Sequence, residues 1–143
     1  MNSLQNRRLT LKNVRVNPAG VAAPAGQYSQ SVRIPLGESN LIIISGQVAL
    51  DQHGSLVGEG DVTLQTRQVF ENLKTILEAN GASFADVVKL NLYVTDISKR
   101  GEVAEVRKQY LTNEPPASTF VEVSRLASDD WLIEVEATAV VHN

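Results

Sequence analysis

From Leu132 to Val140 the chain alternates with a period of two. Ile133, Val135, Ala137 and Ala139 fall on one side of an extended strand, and Leu132, Glu134, Glu136, Thr138 and Val140 fall on the other. One face is wholly apolar, so it must cover a core; the other carries two carboxylates. A second strand-like run, Ala117 to Leu126, precedes it across a short acidic turn and follows Pro115-Pro116. Two carboxylates on a half-buried strand are either a solvated outer face or part of a site.

The remainder of the chain limits the choice. At 143 residues it fits one domain with a real core, and 43% hydrophobic with 20% charged residues is ordinary for a soluble globular protein. A formal charge of −3 argues against a nucleic-acid partner, which needs clustered Lys and Arg. The adjacent basic pairs are Arg7-Arg8, Lys99-Arg100 and Arg107-Lys108, and the last two lie on or beside a predicted helix where a solvated face is the ordinary reading. There is no cysteine, which excludes disulfides and thiol nucleophiles. His53 and His142 have no partner at metal-ligand spacing, so neither a metal nor a cofactor is expected. No run approaches the roughly 20 apolar residues of a membrane span, and the polar N-terminus lacks a signal-peptide core. The expected location is cytoplasmic, with no membrane partner.

Met1 to Thr10 is polar, and Leu9 to Val16 is compatible with a short added strand. Asn17 to Gln27 is loop, with Pro18, Gly20, Pro24 and Gly26. Gln30–Pro35 and Leu41–Leu50 read as a hairpin about a Gly37–Asn40 turn. The continuous run Leu41-Ile42-Ile43-Ile44 suggests a strand covered on both faces. After a loop over 51–60, Asp61 is a good N-cap for a helix whose stripe is Val62, Thr66, Val69, Phe70, Leu73, Ile76 and Leu77, stopped at Gly81. Val88 to Val94 alternates as a strand. Ser98 is placed to cap a second helix carrying Val103, Val106, Tyr110 and Leu111, which ends before Pro115-Pro116. The order is ββαβαββ: an α+β layer, one mixed sheet with two helices on one face and hairpins at both ends. The other sheet face, partly apolar, invites oligomerisation.

Several motifs carry a resemblance. Pro116-Ala117, Val121-x-Val123-x-Arg125-Leu126 and Ile133-Glu134-Val135-Glu136-Ala137 resemble the C-terminal signature of the RidA family, also called YjgF or L-PSP endoribonuclease-like. Pro24 to Gln30 is similar to its Ala-Pro-x-x-x-Gly-Pro-Tyr-Ser-Gln motif, Ile43 to Val48 to its Ser-Gly-Gln strand, and Asp86-Val87-Val88-Lys89 with Tyr93-Val94-Thr95-Asp96 to its central strand. Each is weak alone; four in order, from about Val14 to the C-terminus, are specific. The resemblance implies one domain with residues 1–13 as an extension. It also implies a chorismate-mutase-like fold and a homotrimer around a central barrel, with small-metabolite clefts between subunits.

For activity, the resemblance implies enamine/imine deamination. The first Glu of Ile-Glu-x-Glu, Glu134, would polarise the attacking water, with Tyr28, Ser45 and Gly46 lining the cleft. The deaminases carry Pro-Ala-Arg-Ser/Thr, the Arg clamping a substrate carboxylate; this chain has Ala117-Ser118-Thr119-Phe120. Ser118 thus stands in place of the Arg, so that Ser118 and Thr119 offer short hydroxyl donors instead of a charge, with Phe120 beside them as a further expected contact. A lost bidentate charge contact of about 2–3 kcal/mol weakens an imino acid by roughly 30–150-fold. The family's helix Asn and Tyr fall at Ala104 and Arg107. Arg107 either supplies the missing cation or sits on a solvated face. Arg125 is expected to pair with Glu122 or Asp129, and Glu136 with a Lys or Arg. Three functions stay open: a small-metabolite hydrolase with altered substrate, a non-catalytic trimeric binding protein, and a ribonuclease, which the acidic charge opposes.

Overall fold

The computed structural model describes residues 12–111 and 113–143. Residues 1–11 lie outside the described part, and with them residues 9–11 of the expected added strand. What is seen of that strand is β1, Val14–Val16, paired antiparallel to β2, Ser31–Leu36. β2 turns at Gly37, whose φ of +67° suits a residue without Cβ, into β3, Ser39–Gln47. The long helix α1, Val62–Ala79, follows a loop whose Asp51 carboxylate accepts from the amides of His53 (2.8 Å) and Ser55 (3.0 Å). Asp61 caps α1 as expected, accepting from the Leu64 amide at 3.0 Å, and Gly81 (φ +74°) ends it.

β4, Val87–Val94, α2, Arg100–Arg107, β5, Ala117–Glu122, and β6, Ile133–His142, complete one six-stranded sheet in the order β1-β2-β3-β6-β4-β5. Two expectations change. The last two strands do not form a hairpin: β6 is antiparallel to both β3 and β4, and β5 is parallel to β4 on its far side. A parallel neighbour needs a crossover, and α2 supplies it. Ser98 is not the cap of α2. Asp96 caps the single 3-10 turn Ile97–Lys99 that leads into it, accepting from Ser98 N at 3.0 Å and Ser98 Oγ at 2.6 Å.

The core lies between the helices and one sheet face. Val69, Phe70, Leu73, Ile76 and Leu77 of α1 pack on Ile42 and Ile44, Leu90 and Leu92, and on Ile133, Val135, Ala137 and Ala139. Each large side chain there contributes roughly 1.5–3 kcal/mol by leaving water. Phe70, Phe84 and Tyr110 form an aromatic cluster with centroids 5.2–5.8 Å apart, which ties α1 to the segment after α2. Leu41 to Ile44 is not covered on both faces within one chain, because Ile43 points away from the helices and is 47% exposed. β3 also stops at Gln47 rather than Leu50, which forms an isolated bridge to Leu56.

Candidate functional site

The register between β3 and β6 slips after Ile44↔Ala137, so that the next pair is Gln47↔Val135. Ser45 and Gly46 are thus the extra length of a bulge, and a bulge re-aims the side chains around it. Glu134 sits against this bulge. Its carboxylate and methylenes fill the space above Gly46, where a Cβ would stand 2.9 Å from Glu134 Cδ.

Around the pair opens a cleft of about 480 Å³. It brings together four residues expected from the sequence: Tyr28, Ser45, Gly46 and Glu134. Tyr28 lies at its rim, 49% exposed, its hydroxyl accepting from the Ala25 amide at 3.2 Å. Ser45 is committed as a donor: Oγ donates to Ser29 O at 2.6 Å and its amide to Gln30 O at 2.9 Å. It pins the Tyr28 loop to the sheet, and only its lone pairs remain for a ligand. Behind it, Gln47 Nε2 donates to Gln30 Oε1 at 2.8 Å, a buried amide pair on the cleft floor. Sequence reasoning assigned no role to Gln30, Gln47 or Trp131, which also line the cleft. Trp131, two residues before the start of β6, was the one available signal, as the sole tryptophan of the chain.

Burial raises the proton affinity of Glu134, and the charge of Glu136 raises it further. Among the described residues Glu136 pairs with no cation. Its Oε1 accepts from Asn91 Nδ2 and from the Tyr93 hydroxyl, both at 2.8 Å, because β4 sets Asn91 opposite Glu136 and Tyr93 opposite Glu134. The bond to Glu136, with burial behind it, pushes the Tyr93 phenol up.

The other expected residues lie elsewhere. β5 pairs Ser118 with Leu90 and Phe120 with Leu92, on the helix side of the sheet. Glu134 is on the opposite side. Ser118, Phe120 and Arg107 line a separate hollow of about 420 Å³ with Ile97, Arg100 and Ala104. Within one chain, then, Ser118 and Glu134 belong to different faces and different cavities. Thr119 lines neither cavity; it shares the helix-free side with Glu134, where its Oγ1 accepts from Lys89 Nζ at 2.8 Å. Arg125 pairs with Asp129 at 2.7 Å, both exposed, while Glu122 accepts from the Ile97 amide at 3.1 Å. No helix among the described residues is long and apolar enough to cross a membrane.

Known proteins are similar in sequence and in fold. Residues 20–141 match the sequence model of the family described as Endoribonuclease L-PSP. A RutC family protein of Pyrococcus abyssi is 41% identical over 116 residues, 81% of this chain and 87% of that protein. A 2-iminobutanoate/2-iminopropanoate deaminase of Salmonella typhimurium is 38% identical over 123 residues, 82% of this chain and 91% of that one. The crystal structure of RidA from an Antarctic Psychrobacter superposes with a TM-score of 0.79 at 32% identity, covering 90% of this chain and 99% of that one.

Proposed function

The chain belongs to the endoribonuclease L-PSP family, also called the RidA or YjgF family, and we propose that it is a small-metabolite hydrolase of the enamine/imine deaminase type. The observation that carries this reading is the Glu134 carboxylate, half-buried above Gly46 at the mouth of the cleft. A carboxylate whose proton affinity has been raised by burial is a stronger base once ionised. Glu134 accepts a proton from water as the oxygen adds to the imine carbon. That proton passes to nitrogen and gives a carbinolamine; the hydroxyl proton then follows it to nitrogen as the C–N bond breaks and the C=O bond forms, so imine plus water gives carbonyl plus ammonia.

The opposite-face placement of Ser118 and Glu134 supports a site shared between copies, one chain giving Glu134, Tyr28 and Gly46 and another giving Ser118, Phe120 and Arg107. Ile43 and Val121, exposed on the helix-free face, support a homotrimer that buries that face. A serine where the deaminases carry arginine supports weak turnover of simple 2-imino acids. That same serine favours a second reading, a trimeric metabolite-binding protein without chemistry. The formal charge of −3 counts against a ribonuclease.

The test follows ammonia release from imines made in situ by an amino-acid dehydratase, with the mass in solution measured alongside. The expected results are a trimer, slow turnover, and loss of that turnover in Glu134→Gln. Unchanged turnover in that variant removes the hydrolase role of Glu134, and a monomeric mass removes the shared site.

A further inference from the structure

We propose that Arg100 and Arg107 form a recognition site for acid groups on α2, and that the ligand of this protein is a dicarboxylate, in its reactive form a dicarboxylic imine or enamine. The proposal deepens the reading above, on which its catalytic half rests.

Six charged residues stand between positions 99 and 108, and the structure sorts them. Both glutamates are taken by lysines: Lys99 Nζ lies 3.7 Å from Glu102 Oε1, and Lys108 Nζ lies 2.6 Å from Glu105 Oε2. The two arginines have neither an acidic partner nor a side-chain hydrogen bond among the described residues. They are seven positions apart, with Ala104 between them, and so share one stripe of the helix. That stripe is the wall of the hollow that Ser118 and Phe120 close from β5. A second hollow of about 410 Å³ adjoins it, shares Ala104, Arg107 and Ser118, and runs to Pro115 and Pro116. Ala104 and Ser118 keep this groove open, since a long side chain at either position would fill it.

The Cα atoms of Arg100 and Arg107 stand about 10 Å apart along the helix axis. Two long guanidinium side chains at that spacing converge on acid groups a few carbons apart, and each presents a planar fork that fits a carboxylate. Ile97 and Phe120 supply apolar wall to the same hollow, which suits a methylene chain and has no use for a bare inorganic anion. Ser118 adds a short hydroxyl donor. On a chain of net charge −3, an unneutralised arginine pair facing a concavity concentrates anions there. The cation absent from position 118 thus reappears on α2, as two groups instead of one.

The experiment titrates full-length protein with succinate, propionate and inorganic phosphate, non-reactive probes, and reads affinities from amide chemical shifts. Succinate is expected to bind at least about tenfold tighter than propionate or phosphate, the worth of one additional charged contact. The preference should disappear in Arg100→Ala/Arg107→Ala and persist in part in the double lysine variant. Arg100→Ala alone, at an exposed position, should reduce it several-fold and keeps the test valid if the double variant folds poorly. Equal affinity for succinate and propionate, phosphate binding as tight as succinate, or a preference undiminished in Arg100→Ala overturns the proposal. Ammonia release from imines of aspartate and of alanine is measured in parallel. Arginine-dependent succinate binding without turnover sinks the hydrolase reading alone; turnover without any succinate preference sinks the dicarboxylate alone.

Discussion

Gly46 and Glu134 occupy a space that only a glycine leaves open. A Cβ on residue 46 would lie 2.9 Å from Cδ and 3.0 Å from Cγ of Glu134, and would overlap its Oε1. Gly46 is not among the glycines with positive φ, so its backbone conformation is open to any residue. Space, not conformation, is what requires glycine at this bulge. The carboxylate is thereby seated on backbone rather than among side chains that could rotate away.

Gly46→Ala should therefore displace the carboxylate while leaving the fold intact. A displacement near 1 Å at the reacting group costs on the order of 100-fold in turnover. Steady-state rates beside thermal melts check this. A variant that keeps wild-type turnover shows that the contact is not used.

Glu136→Gln retains an acceptor for Asn91 and Tyr93 but removes the charge that raises the proton affinity of Glu134. Glu134 then ionises more readily. The acidic limb of the kcat/KM profile should move to lower pH, with the network otherwise preserved. A limb that moves upward, or not at all, contradicts the electrostatic coupling of the two carboxylates.

Stability should report the same group. The folded pKa of Glu134 is raised above its unfolded value, so the unfolded chain loses the proton first as pH rises. Stability is withdrawn between the ordinary carboxylate range and the raised folded value, and the deficit is complete above it. Glu134→Gln escapes that deficit. Its melting temperature should exceed that of the wild type at neutral pH, and the two should converge below the ordinary carboxylate range. Melts across pH at one fixed protein concentration give the comparison, since an oligomer's melting depends on concentration.

Gln65 is fully buried on α1 and holds the segment that enters β6. Its Nε2 donates to Gly58 O (3.1 Å) and Asp130 O (2.9 Å), and its Oε1 accepts from the Leu132 amide (2.9 Å). Gln65→Ala leaves three part-buried backbone groups without this partner and opens a cavity at a fully buried position, and should cost roughly 2–4 kcal/mol in urea unfolding. Fluorescence of Trp131, the sole tryptophan, should change as its anchorage loosens. A cost under about 0.5 kcal/mol, the scale of an ordinary surface change, would mean that other contacts hold this segment.

Much of the fold was legible because local chemistry announces it. The Asp61 cap, the α1 stripe and the Gly81 stop follow from short-range hydrogen bonding and a 3.6-residue period, and all three lie where the residues place them. The division of β6 into an apolar face and a carboxylate face follows from its period of two. Strand pairing was legible only where a short turn joins the strands, as in the β2–β3 hairpin. A period of two says which face is buried and nothing about the neighbour, so the expected hairpin of β5 and β6 gave way to β4 lying between them. The cap at Ser98 failed for a related reason: Asp96, two residues earlier, offers a carboxylate that accepts from both the amide and the hydroxyl of Ser98.

The sequence by itself determined the elements, the apolar core and the identity of the chemically capable groups, Glu134 above all, because these depend on side-chain type and spacing along one chain. Tertiary structure alone decided which groups can meet. Sheet parity puts Ser118 on the helix side and Glu134 on the other, Gly46 in the bulge of β3 leaves room for the Glu134 carboxylate at the cleft, and α2 sets Arg100 and Arg107 in one hollow with Ser118. Those are relations between strands and helices far apart in sequence, fixed by pairing and packing across the sheet, and no local pattern encodes them.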